Sequence, residues 1–146
     1  MAGTSDTVDD KTILREYLTR PGTDLYAQVA GDVFIPHPPP TSIWDGSRQK
    51  GIVISRRGGG PRGERLSNMA LQAKCYGGPD GWDGAEQVAS AFCDAIRNGH
   101  GTNVTSGRYI GGNIETSGQQ ITEPDTNPPW RYVLVFFSAN LGPTAV

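Results

Sequence analysis

Trp130-Arg131-Tyr132-Val133-Leu134-Val135-Phe136-Phe137-Ser138-Ala139 is a long, nearly continuous apolar run rich in aromatic and β-branched residues. Such residues suit a pleated strand. Alternation puts Val133, Val135 and Phe137 on one face and Leu134 and Phe136 on the other. A strand that is apolar on both faces needs cover on both, so this segment is predicted to lie inside a sheet. The rest of the chain has to be arranged around it.

Candidate neighbours lie upstream. Gly51-Ile52-Val53-Ile54-Ser55 is short, β-branched and bounded by breakers, which predicts a strand. Residues 66–76 alternate: Met69, Leu71, Ala73 and Cys75 share one face, while Asn68, Gln72 and Lys74 share the other. That pattern predicts a half-buried strand, pairing with the first as a hairpin. Its long tip would be Arg56-Arg57-Gly58-Gly59-Gly60-Pro61-Arg62-Gly63. Val33-Phe34-Ile35 reads as a short strand stopped by Pro36. Pro38-Pro39-Pro40 then forces an extended path, and residues 42–46 form a loop carrying Trp44.

Two main helices flank these strands. Ile13, Leu14, Tyr17 and Leu18 make an apolar stripe from about Thr7 onward, with Asp9 and Asp10 at its start and Pro21-Gly22 at its end. A short turn over 24–29 follows, capped by Thr23 and ended by Gly31. In the second helix Ala85, Val88, Ala89, Phe92, Ala95 and Ile96 form the buried stripe, with Cys93 on the flank. Asp83 and Glu86 look like its capping box, and Asn98-Gly99 stops it. Within 100–129, strand-like patches at 108–110 and 113–121 are interrupted by Gly111, Gly112 and Gly118, and a Pro-rich loop follows. The expected fold is α+β: an antiparallel or mixed sheet, two main helices on one face, a long hairpin and Gly/Pro-rich loops.

The 146 residues fit one domain, 1–146, with a polar tail at 1–6 and a core at about 7–141. The 20 Gly and 11 Pro fall short of the ~25–30% of low-complexity chains. A net charge of −2, from 13 basic and 15 acidic residues, supplies no field that draws the protein to DNA or a membrane. No apolar run approaches the ~20 residues of a membrane span. The acidic start lacks the basic, then apolar pattern of a signal peptide. A membrane protein, a secreted disulfide scaffold and a strongly basic chromatin-type binder are excluded.

Chemistry-bearing motifs are sparse. Cys75 and Cys93 have no second thiol pair and no nearby His, so they cannot build a four-ligand zinc site. They read as buried free thiols of a reducing compartment. His37 sits in a proline-rich loop, and His100 is placed to interact with a helix C-terminus. The glycine tip fails as a phosphate cradle, because no Lys-Ser/Thr step and no helix follow it. No nucleophile elbow is present, so the expectation is a protein without catalytic, cofactor or metal residues. Arg56, Arg57, Arg62 and Arg65, around Gly58, Gly59 and Gly60, are the one local basic cluster. They form either a solvated tip that resists edge pairing or a contact loop for a protein partner. Direct DNA contact is the competing use, disfavoured by the acidic balance.

The order of segments resembles the tail terminator (tail completion) proteins of long-tailed bacteriophages and related gene-transfer particles. The matching pieces are Ile13-Leu14-Arg15-Glu16-Tyr17-Leu18, the apolar segment 25–29, and Gly31-Asp32-Val33-Phe34-Ile35-Pro36. Next come the strand 52–56 entering a glycine tip, the strand 66–76, the Ala-rich helix 85–96 and the aromatic strand 130–140. The likeness covers roughly residues 10–140 and departs at Pro38-Pro39-Pro40 and across 99–129. It implies a non-enzymatic virion assembly protein. Such a protein forms a hexameric ring on the head-proximal end of the tail tube, stops tube growth and presents the head-docking surface. Its partners would be further copies of itself, the tail tube protein and a head-completion or connector protein. Its location would be the tail–neck junction of the virion, and the host cytoplasm during assembly. A head-completion or neck connector protein is the alternative within this class. A small nucleic-acid-binding module using the arginine tip is the alternative outside it.

Overall fold

The computed structural model describes residues 9–57, 66–123, 126 and 128–144. The tip residues Gly58, Gly59, Gly60, Arg62 and Arg65, the tail 1–6 and part of the loop at 124–127 lie outside them. Helices α1 (Asp10–Leu18), α2 (Asp24–Val29) and α3 (Gly81–Asn98) accompany strands β1 (Val33–Phe34), β2 (Lys50–Arg56), β3 (Leu71–Gly77), β4 (Thr102–Val104), β5 (Gly107–Thr122) and β6 (Arg131–Gly142). Among the described residues the strands form one mixed sheet, in the order β1-β2-β3-β6-β5-β4. The β1–β2 pair is parallel and the remaining pairs are antiparallel. This is the α+β arrangement expected, with β6 in the interior of the sheet.

Local chemistry fixes the helices. The Asp9 carboxylate accepts the Thr12 amide at 3.3 Å and the Thr12 hydroxyl at 2.6 Å, which caps α1. Those bonds hold the Asp9 carboxyl below its ordinary pKa. Thr23 caps α2 through the Tyr26 amide at 3.1 Å. The chain turns at Ala30, whose φ is +53°, rather than at Gly31. α3 begins earlier than its sequence suggests. Gly81 is its first residue and Asp80 takes the cap position without a side-chain bond, so Asp83 lies inside the first turn and forms no capping box. Its buried stripe is Ala85, Val88, Ala89, Phe92, Cys93 and Ile96, while Ala95 is half-buried.

The helices share one face of the sheet. Val133, Val135 and Phe137 of β6, Leu71, Ala73 and Cys75 of β3, and Ile52 and Ile54 of β2 meet the helical stripes in the main core. The hairpin pairs Lys50 with Gly77 through to Arg56 with Leu71. The second strand is shorter than the alternation of 66–76 predicts, because Asp10 draws residues 66 and 67 away from the ladder. Its Oδ2 accepts the Leu66 amide at 2.7 Å and the Ser67 amide at 2.9 Å. Asn68, with φ +63°, completes the departure and donates its amide to the Ala139 carbonyl at 2.8 Å.

The glycines near residue 110 do not interrupt a strand. β5 runs through Gly111, Gly112 and Gly118: its register against β6 shifts between Tyr109 and Gly111 and again between Ile114 and Gln119, while Gly112 pairs with Ala139 in regular register. Gly112 is required by crowding: a β-carbon there would press on the Tyr109 hydroxyl, Ile96 and the Ser138 carbonyl. Among the described residues, β5 beyond Tyr109 pairs with β6 alone, and β4 covers only Gly107 to Tyr109. Irregular register is a common way to blunt so long an edge.

Candidate functional site

The sheet face away from the helices carries the candidate site. Alternation sends Val53 and Ser55 of β2, Gln72, Lys74 and Tyr76 of β3, and Tyr132, Leu134 and Phe136 of β6 to this side. The second apolar face of β6 therefore exists, but no helix among the described residues covers it. Its cover is of two other kinds.

At one end an aromatic cluster closes over the sheet. Trp44, read from sequence as a loop residue, is 1% exposed and is the hub. Its ring centroid lies 5.3 Å from that of Tyr76 and 5.4 Å from that of Trp130, both edge-on. Tyr132 packs against Tyr76 at 5.1 Å, and Phe34 against Trp44 at 5.2 Å. The loop that delivers Trp44 is pinned by Asp45, which accepts the Ser47 amide at 2.8 Å and hydroxyl at 2.6 Å. These bonds lower the Asp45 pKa. The indole N–H donates to the Lys50 carbonyl at 3.3 Å. Gly51 admits the ring, since a β-carbon there would stand 2.6 Å from the indole. Burial, with the Glu123 charge beside it, raises the Tyr76 hydroxyl pKa, and that hydroxyl donates to Glu123 at 3.0 Å.

Across the middle of the face the cover among the described residues is a single guanidinium. Arg57 lies 4.4 Å above the Phe136 ring centroid. Its Nη1 donates to Glu115 Oε1 at 3.1 Å, and its Nε donates to the Leu71 carbonyl at 3.3 Å. Its Nη2 stands 3.0 Å from Glu115 Oε2, out of line for a hydrogen bond. The hydrogen bond from Arg57, helped by its charge, lowers the Glu115 pKa. Arg57 thus serves its own sheet. Arg56 reaches the Met69 sulfur at 3.7 Å. Of the candidate contact residues these two are described, and they diverge from each other.

Between the aromatic end and Arg57 a cleft of about 500 Å³ opens, lined by Pro36, His37, Ser55, Gln72, Lys74 and Trp130 among others. The Lys74 ammonium is 5.3 Å from the Tyr132 ring centroid, and no carboxylate pairs with it among the described residues. Sequence alternation places Lys74 on this face but gives no hint of the cleft, which needs the distant residues Pro36, His37, Pro38, Glu123, Thr126 and Trp130.

Elsewhere, Cys75 and Cys93 are free and buried, and burial raises both thiol pKa values, most strongly for Cys75. His100 packs beside Gly111, where a β-carbon would meet its ring at 3.6 Å. Among the described residues no group of His, Cys, Asp and Glu side chains is arranged to hold a metal ion. No helix among them is long and apolar enough to cross a membrane. No protein-family model, curated protein or solved structure matches the chain.

Proposed function

We propose that the protein is a structural virion assembly subunit, the ring that caps the head-proximal end of a long phage tail tube. The order of its segments, which resembles the tail terminators, supplies the identity of the assembly. The observation that carries the reading is the unequal cover of the sheet, with helices on one face and only an aromatic cluster and Arg57 on the other among the described residues. Helices occupy one face, while on the other Lys74, Gln72, Leu134 and Phe136 are half-buried, Phe136 beneath the Arg57 guanidinium, with no helix or strand above them among the described residues. A ring of identical subunits needs two different surfaces that complement each other on every copy. A two-layer fold with a partly bare sheet face offers such a pair. The subunit would end tube growth and give the head its docking surface.

The test is to mix the purified protein with tail tubes and examine the tube ends by negative-stain electron microscopy, with the mass of the free protein measured alongside. A ring on one end of each tube, blocking further growth, is the expected result. A protein that stays monomeric at high concentration and ignores tube ends overturns the reading. Binding to isolated heads or connectors in place of tubes would assign it to the neck. Salt-sensitive retention on DNA without assembly would make it a nucleic-acid module.

A further inference from the structure

The end of α3 differs from the ends of the other two helices. α1 closes on a bond from the Thr19 amide to the Arg15 carbonyl at 3.0 Å, and α2 on one from the Ala30 amide to the Tyr26 carbonyl at 2.8 Å. At α3 the equivalent donor is the Gly99 amide, which makes no such bond among the described residues. Its natural acceptor, the Ala95 carbonyl, takes the Tyr17 hydroxyl, and the next carbonyl, that of Ile96, takes the Tyr109 hydroxyl. The Tyr17 hydroxyl also dictates the residue at 99, since a β-carbon there would collide with it. Asn98, the last residue of α3, is exposed, and its side-chain amide makes no hydrogen bond among the described residues. It is the one Asn in the sequence that a Gly follows.

We propose that Asn98 is a site of spontaneous covalent modification, deamidation through a cyclic imide, and that the fold keeps it open to this reaction. The Gly99 nitrogen attacks the Asn98 side-chain carbon Cγ. A Cγ–N bond forms, the Cγ–Nδ2 bond breaks, and ammonia leaves with the proton that the Gly99 nitrogen gives up. The five-membered imide then takes up one water at either carbonyl, leaving an aspartyl or an isoaspartyl residue at position 98. In sum an amide and a water become a carboxylic acid and ammonia, without oxidant or cofactor. Inside a helix the attacking nitrogen is bonded to the carbonyl four residues earlier, which holds the step back. Here that bond is missing, and glycine leaves the nitrogen unhindered. Either product puts a carboxylate at the negative end of the helix dipole, one turn from exposed Asp94. The isoaspartyl form also lengthens the main chain beside the carbonyls that Tyr17 and Tyr109 hold. The glycine that the Tyr17 contact requires is therefore the residue that exposes this contact to damage. The inference is independent of the assembly reading above.

The experiment incubates the full folded chain at neutral pH for days, beside the same chain unfolded in urea. Peptide mapping by mass spectrometry, with isoaspartyl-specific enzymatic methylation, locates and counts the products. Position 98 should be modified first in the folded chain, about tenfold or more ahead of Asn68, Asn103, Asn113 and Asn140, whose following residues all carry side chains. Its folded rate should lie within about tenfold of the unfolded rate, because a helix end that opens easily protects little. Asn98→Gln should remove the early product, since the larger ring it would need closes slowly. The modified fraction, separated on an ion exchanger by its extra negative charge, should unfold at lower urea than its parent. A folded chain that leaves position 98 intact while the unfolded chain is modified there overturns the proposal, for the end of α3 then protects Asn98 as a helix interior would. So does modification that comes first at another Asn. A modified fraction as stable as its parent overturns the link to the Tyr17 contact.

Discussion

Tyr17 of α1 and Tyr109 of β5 stack ring on ring, 3.8 Å between centroids and 7° from parallel, and both hydroxyls donate to the last turn of α3. Tyr17 takes the Ala95 carbonyl and Tyr109 the Ile96 carbonyl. The last carbonyls of a helix have no partner within it, so two distant elements close this end together. Gly99 follows at the cap, where a β-carbon would collide with the Tyr17 hydroxyl.

Tyr17→Phe and Tyr109→Phe each keep the stacked ring and strand one carbonyl. Each should cost about 1–3 kcal/mol, the penalty of a buried acceptor left unmade. The two losses should not add, because the rings share one position. Urea unfolding midpoints of both variants and the double check this; unchanged midpoints would contradict the shared closure.

Tyr17, Tyr76, Tyr109 and Tyr132 all have pKa values raised by burial above the ordinary 10.0. The folded chain therefore holds these protons more tightly than the unfolded chain. Their stabilisation is present in full below about pH 10 and is lost progressively as pH rises beyond it. Phenolate absorbance at 295 nm should appear together with loss of the near-ultraviolet circular dichroism signal. Four phenolates titrating near pH 10 in a fold that stays intact would refute this.

Asp10 ties the first helix to a segment more than fifty residues away, through the Leu66 and Ser67 amides. Asp10→Ala removes a charged acceptor shared by two donors, one of them buried, and should cost on the order of 3 kcal/mol. Asp10→Asn keeps an acceptor oxygen and should cost less. Hydrogen exchange at 66 and 67 reports the change directly, and amides that stay protected in the alanine variant would rule out this anchor.

Gly51→Ala places a methyl against the Trp44 indole. Overpacking of this kind costs about 1–3 kcal/mol, and here the indole must yield. The expected signature is altered tryptophan fluorescence, with the helix-side core unchanged by far-ultraviolet circular dichroism. Fluorescence and stability identical to wild type would show that the loop gives way freely.

Periodicity carries much of this fold in the sequence. The stripe Ile13, Leu14, Tyr17, Leu18 and the alternation Leu71, Ala73, Cys75 predict burial that the structure shows. Thr23 announces α2 because its cap bond is local. What sequence misses depends on partners far along the chain. Asp10 reads as a helix-start charge, yet it reshapes residues 66–69. Gly111 and Gly112 read as breakers, yet crowding by Tyr109 and Ile96 is what Gly112 relieves. Trp44 reads only as a loop residue until Tyr76 and Trp130 close on it. On the candidate site, the outward side of Lys74 is readable from alternation. The Arg57–Glu115 pair, bridging two strands that are not neighbours, is not.

The position of β6 between β3 and β5 has a consequence for the chain as it is made. Val133, Val135 and Phe137 stand at the middle of the sheet, yet they emerge from the ribosome after the other five described strands. The β2–β3 hairpin and α3 exist earlier only as fragments, with Leu71, Ala73 and Cys75 lacking one lateral neighbour. Long-range pairing of this kind is slow and leaves apolar surface open while it waits. During synthesis the nascent chain therefore presents an unfinished sheet, a substrate for chaperones, and truncation before residue 131 removes the keystone rather than an edge.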